Sequence, residues 1–185
     1  LAPLEEAIGL VEFSSIARGI EAVDAMVKEA DVRLLASRTC CPGKYIGLVA
    51  GAVAAVQSSV AAARDAGRGH YVDDLVIPNV HEQVLAAAAG TVVVPERGAL
   101  GVVETFSLAS SLLAADAAVK AAPVTLVEVR LGTGIGGKGF TTMVGETAAV
   151  RAAVAAGAAG AARRGLLVAT AVIPAPYQEV LDKLI

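Results

Sequence analysis

The chain has no tryptophan, and its few phenylalanines and tyrosines make up only 3% of 185 residues. Single-stranded nucleic acid is usually held by stacking bases on aromatic side chains, so that function class is disfavoured. Positive charge is no richer: 15 Lys and Arg against 18 Asp and Glu leave a net charge of -3. Without a broad basic face, duplex binding is disfavoured too. Histidine occurs twice, as His70 and His81, and neither has a Cys or second His at ligand spacing, so surface roles are expected for both. Cysteine also occurs twice, at the adjacent positions Cys40 and Cys41. Two thiols make no disulfide framework and fall short of a four-coordinate metal site, and with no secretory signal visible a reducing cytoplasm is the default. A disulfide between neighbours would close a strained ring and distort the turn they occupy.

What is abundant is small apolar mass. Hydrophobic residues make up 56% of the chain, enough for the core of one ordinary domain or two small ones. Tyr45 to Ala63 is uncharged and about long enough to span a bilayer. It contains Gln57, Ser58 and Ser59, and its counterpart in the second half carries Glu146 and Arg151. A buried amphipathic segment fits that pattern better than a membrane span.

That counterpart exists because the chain is written twice. AIGLVEFSSIARGIEAVDAMVKEADVRLLASR from Ala7 aligns with ALGVVETFSLASSLLAADAAVKAAPVTLVEVR from Ala99 at a constant offset of 92. Gly9 meets Gly101, Glu12 meets Glu104, Ser15 meets Ser107, and Asp24 with Lys28 meets Asp116 with Lys120. The offset grows to 94 at Lys44 and Lys138, and to 96 at Pro78 and Pro174, so the additions fall in turns. The expected division is 1–95 and 96–185, two units of a size usually helped by a partner.

Within the first copy AIGLVEF reads as a strand, and Ile16, Ile20, Val23, Val27 and Ala30 recur at helical spacing. VRLLASRT is a second strand, CCPGK a turn and YIGLVAG a third strand, after which Gly51 opens a helix. Gly67 to Asp74 reads as a loop, LVIPNV as a fourth strand and HEQVLAAAA as a short helix. The second copy repeats this order. Each is an α/β unit of the α+β sandwich kind, β-α-β-β-α-β plus a short terminal helix, with both long helices on one face of one sheet.

This order resembles the bacterial microcompartment shell domains. The resemblance rests on strand-helix words such as GLVE…AVDAMVKEADV, a Gly-Lys turn between the middle strands and a closing VIP segment. It covers nearly the whole chain, in both copies and in the unpermuted order. The first-copy turn, Thr39-Cys40-Cys41-Pro42-Gly43-Lys44, and the second-copy turn, Gly134-Ile135-Gly136-Gly137-Lys138, look most like those of the iron–sulfur-binding tandem shell protein of propanediol-utilisation compartments.

The resemblance implies a homotrimer of two-domain chains imitating a hexamer, lying as a tile in the shell of a microcompartment in the bacterial cytoplasm. Its threefold pore would be lined by Cys40, Cys41, Pro42, Gly43, Gly134, Ile135, Gly136 and Gly137. Lys28 and Lys120 would make tile-edge contacts with other shell proteins, and encapsulated enzymes are further partners; no nucleic acid, membrane or catalysis is implied. One departure weakens simple tiling: the arginine that follows VIP in the family is Asn79 in one copy and Ala175 in the other.

Three features carry chemistry. GTGIGGKG, Gly132 to Gly139, meets a phosphate-loop pattern as far as Gly-x4-Gly-Lys, but Gly139 stands where a Ser or Thr is needed. A strand is expected after it, not the helix whose N–H groups would hold a phosphate, so nucleotide hydrolysis is disfavoured. Glu12 and Glu104 recur at one strand position in both copies, which favours a structural hydrogen bond to backbone over acid–base work. The cysteines are the third. Alternation along a strand turns only one of Cys40 and Cys41 toward a common axis, and the family's Cys-Pro-Gly-Lys pattern selects Cys41. Three Cys41 thiolates, one per chain, would hold three irons of a [4Fe–4S] cluster, the fourth taking another ligand. A cofactor-free pore for metabolites, with Cys41 a reduced thiol, is the alternative.

Overall fold

The computed structural model describes residues 7–132 and 134–183, and the chain packs as two compact units. In the first, β1 (Ala7–Phe13) is buried along its whole length and leads into α1 (Ile16–Glu29). β2 (Arg33–Cys40), β3 (Lys44–Gly51), α2 (Val53–Gly67) and β4 (Tyr71–Ile77) follow. The sheet order is β2-β3-β1-β4 with every neighbouring pair antiparallel. The crossover from β1 through α1 to β2 leaves a gap that β3 fills, the split βαβ arrangement. Val11, Phe13, Met26, Val49, Val56 and Val60 make up much of the core under α1 and α2.

The second unit begins with α3 (Glu82–Ala88), then β5 (Ala99–Thr105), α4 (Leu108–Ala121) and β6 (Val124–Leu131). It continues through β7 (Gly139–Gly145), α5 (Thr147–Arg163), β8 (Leu167–Ile173) and α6 (Gln178–Leu181). Its sheet, β6-β7-β5-β8, has the same order and the same antiparallel pairing.

The repeat reaches into the details. Ser15 and Ser107 both cap their helices, accepting from the backbone N–H groups of Arg18 at 3.4 Å and Ser110 at 3.0 Å. Gly9 and Gly101 let a helix come close to the sheet: a Cβ on Gly9 would lie 2.6 Å from Val60, and one on Gly101 2.7 Å from Val150. The edge pairing shifts register between Leu34 and Ala36 in one copy and between Leu126 and Glu128 in the other, the same repeat position.

Three boundaries differ from the sequence reading. Gly67 to Asp74 is no loop: after a 3-10 turn at Arg68–His70, β4 starts at Tyr71 and pairs with β1, Asp73 opposite Glu12. The strand ends at Ile77 because Pro78 has no N–H to extend the ladder. Gly51 closes β3, and α2 starts at Val53. In chain order α3 closes the first copy, but in packing everything from His81 to Gly132 belongs to the second unit, while residues 134–137 group with the first. Among the described residues, no helix is long and apolar enough to cross a membrane.

Candidate functional site

The turn joining β2 to β3 divides the two cysteines. Cys40 is the last residue of β2, opposite Lys44, and is buried, whereas Cys41 stands in the turn and is exposed. Burial pushes the Cys40 thiol above its ordinary pKa and the Glu12 carboxylate adds to this, with Lys44 and Arg38 pulling the other way. Pro42 follows Cys41 through a cis peptide bond, and Gly43 closes the turn at φ 77°, a conformation in which a side chain would be strained. A Cβ on Gly43 would meet nothing within 4 Å, so the turn projects into open space.

The second-copy turn is longer and richer in glycine. Gly132, Gly134, Gly136 and Gly137 all have positive φ, and a strand, β7, follows them. A phosphate loop would need a helix there. Gly137 lies against the cysteine turn: a Cβ on it would fall 2.6 Å from Pro42 Cδ and 2.8 Å from the carbonyl oxygen of Cys41. Gly134, Gly136 and Gly43 have open surroundings.

At the root of each turn the structure makes an ion pair. Lys44 Nζ donates to Glu12 Oε2 at 3.4 Å, the lysine side chain 17% exposed and the glutamate fully buried. Lys138 pairs with Glu104 at the equivalent position, more openly, with side chains 41% and 30% exposed. Glu12 faces Ile46 across the ladder and Lys44 lies two residues before it, a diagonal cross-strand neighbour, and Glu104, Phe140 and Lys138 repeat the relation. Sequence reasoning expected a glutamate bonded to backbone and overlooked this lysine partner. Its signal was present: glutamate and lysine recur together in both copies.

The other expected residues are placed elsewhere. Lys28 and Lys120 each pair with the aspartate four residues earlier on the helix, at 2.5 Å and 2.7 Å, Lys28 well exposed. His81 caps α3, its Nδ1 accepting from Gln83 N at 3.3 Å, and His70 is an exposed residue whose carbonyl accepts from Ser14. Among the described residues no three His, Cys, Asp or Glu side chains of one chain gather around a metal position.

The fold is that of one family. The BMC domain matches twice, over residues 7–80 and 99–176. The chain belongs to the BMC-domain family. It is 44% identical to the bacterial microcompartment shell protein PduT of Citrobacter freundii, over 98% of this chain and 99% of that one. The bacterial microcompartment shell protein EutM of Salmonella typhimurium is 49% identical over 83 residues, covering 44% of this chain and 83% of its own. A crystal structure of a microcompartments protein from Desulfitobacterium hafniense DCB superposes with a TM-score of 0.87 at 52% identity, covering 95% of this chain and 97% of that one. This tandem BMC-domain chain is a bacterial microcompartment shell protein of the PduT kind, and its two domains are in the unpermuted order.

Proposed function

We propose that three copies of this chain form a shell tile, and that the Cys41 turns meet at its threefold axis to hold a [4Fe–4S] cluster. The observation that carries this is the division of the two thiols: Cys40 is buried at the end of β2 while Cys41 is presented on an exposed turn. The donor set fits the group in kind. One chain offers one exposed thiol, and a threefold axis multiplies it to three, leaving one iron for a ligand other than cysteine. Gly137 of the second-copy turn, lying against Cys41, supports a common lining of Cys41, Pro42, Gly43, Gly134, Ile135, Gly136 and Gly137, from which burial removes the expected Cys40. When bound, the cluster supplies one-electron transfer across the shell or a cofactor for enzymes inside it. The chain's own part is binding and structure, without catalysis. Lys28 and Lys120, on the outer sides of their helices, serve contacts with neighbouring tiles.

The open surroundings of Gly43, Gly134 and Gly136 favour a second reading, a cofactor-free pore for metabolites. One experiment separates the two. Protein purified anaerobically is assayed for iron, sulfide and sulfur-to-iron charge-transfer absorbance, as wild type, Cys41→Ser and Cys40→Ser. The cluster reading expects colour in wild type, its loss in Cys41→Ser and its retention in Cys40→Ser. Equally colourless trimers of all three proteins would overturn it and leave the pore.

A further inference from the structure

The two copies differ where α1 and α4 begin. In each, the turn after the second long helix is bonded to the residue ahead of the helix cap: Ser14 N donates to the His70 carbonyl and Phe106 N to the Leu166 carbonyl, both at 2.8 Å. The repeat matches the residues that meet there, Arg18 with Ser110, Arg68 with Arg164, Gly69 with Gly165 and His70 with Leu166. In the second unit the arginine closes onto its neighbour, Arg164 Nη1 donating to Ser110 Oγ at 3.3 Å.

In the first unit those positions hold two arginines and a histidine, and Arg18, Arg68 and His70, all exposed, line an open pocket of about 520 Å³. A guanidinium has no acceptor to offer another, so Arg68 cannot close on Arg18 as Arg164 closes on Ser110. Glu21 pairs with Arg18 at 2.5 Å, one turn along α1, but the two side chains are 55% and 58% exposed and the pair is worth little. Small residues, Ala66, Gly67 and Gly69, complete the wall. Arg68 is held at φ 41°, where a side chain is disfavoured, while Arg164 at the same repeat position has an ordinary φ of -88°. A glycine would be at ease at position 68, so the strained arginine points to a use for its side chain.

We propose that this pocket binds a phosphoryl group, as the free ion or at the end of a small polar ester. Guanidinium forks match the oxygens of a phosphate, and two of them with an imidazole supply donors for a third oxygen, which a carboxylate lacks. Among the described residues of the lining no side chain is large and apolar, so nothing grips a base or an acyl chain and the ligand is small. Glu21 opposes the anion only while it holds Arg18, and from its exposed position it can turn to water. In the second unit Ser110 and Leu166 leave one arginine at this place, already bonded, so the site belongs to the first copy alone. It goes beyond the shell-tile reading and depends on neither the trimer nor the cluster.

The test is calorimetric titration of the whole protein with inorganic phosphate, glycerol phosphate and acetate at constant ionic strength, for wild type, Arg18→Ala, Arg68→Gly and Arg164→Ala. Wild type is expected to take up one phosphate per chain and to bind acetate about tenfold more weakly or worse. Arg18→Ala and Arg68→Gly each lower the phosphate affinity by about tenfold or more, and Arg164→Ala leaves it unchanged. Because Arg68→Gly relieves the backbone, its urea midpoint is expected to hold, which separates lost binding from lost folding. Tighter binding of glycerol phosphate assigns the ligand as an ester and tighter binding of the ion as free phosphate; either upholds the site. No saturation at millimolar phosphate, acetate bound as tightly as phosphate, or equal losses in Arg164→Ala and Arg68→Gly overturns it.

Discussion

The ion pair at the root of each turn offers an internal control, because the same substitution made twice removes the same partner from two different environments. Lys44→Met deletes the cation beside a fully buried Glu12, whereas Lys138→Met deletes the one beside a partly exposed Glu104. A carboxylate that loses its cation in the interior costs about 3 kcal/mol. One that can turn to water costs about 0.5 kcal/mol. With a urea dependence of about 2 kcal/mol per molar, the unfolding midpoints fall by about 1.5 M and about 0.25 M respectively. Both variants are compared with wild type at one protein concentration, since association contributes to apparent stability. Hydrogen exchange of the β1 and β3 amides locates the effect, because Glu12 and Lys44 join those strands. Equal losses in the two variants would refute the reasoning, since burial is the principal difference between the pairs.

Two further predictions concern the cysteines. Folded protein freed of any cluster by an iron chelator and treated with a thiol alkylating agent at neutral pH takes up one equivalent, at Cys41, and reaches Cys40 only on unfolding, as mass spectrometry of the digested chain will show. Modification of both at equal rates would contradict the division of the pair. Stability also carries an alkaline signature of Cys40, whose thiol is raised by burial and then by Glu12. The unfolded chain gives up this proton first as pH rises past the ordinary thiol value of about 8.5. The contribution is therefore complete below that pH and declines until the native thiol also ionises. Cys40→Ala should flatten the fall in urea midpoint above that pH, leaving the share that Tyr71, raised by its own burial, retains. An unchanged slope would count against the burial of the Cys40 thiol.

Much of the fold could be read from the repeat because paired positions disclose which residues a unit needs. Ser15 with Ser107 and Gly9 with Gly101 recur for local reasons, a helix cap and a close helix–sheet approach, and both are found where the alignment puts them. Tyr71 to Asp74 was not legible as strand, since YVDD sets two carboxylates in a row and lacks the alternation of a half-buried strand. Its pairing with β1 over-rides that local preference, with Asp73 buried opposite Glu12. The Glu12–Lys44 pair was hidden for another reason: the partners are 32 residues apart, and only the strand register sets them on a diagonal. The packing of α3 on β6 was beyond reach too. Chain order assigns that helix to the first copy, and nothing local in HEQVLAAAA states which sheet edge its glutamine will occupy.

Comparison of the copies also separates what the fold requires from what a particular tile can change. At the root of both turns a glutamate on the central strand holds the lysine at the entry to the strand that follows the turn, so the tip is mounted on a fixed base in each copy. At the tip, one copy has Cys41-Pro42-Gly43 and the other a longer run of glycines, with open space around Gly43, Gly134 and Gly136. A residue that touches little can be exchanged at small cost in stability, so the tip is where chemistry varies while the sheet is preserved. Cys40 belongs to the root by this criterion: it is buried, its thiol feels the Glu12 carboxylate, and it completes the ladder opposite Lys44. Cys41 belongs to the tip. Two adjacent thiols that look alike in the sequence are thus divided by the last hydrogen-bonded pair of a β-hairpin, one inside the fold and one outside it.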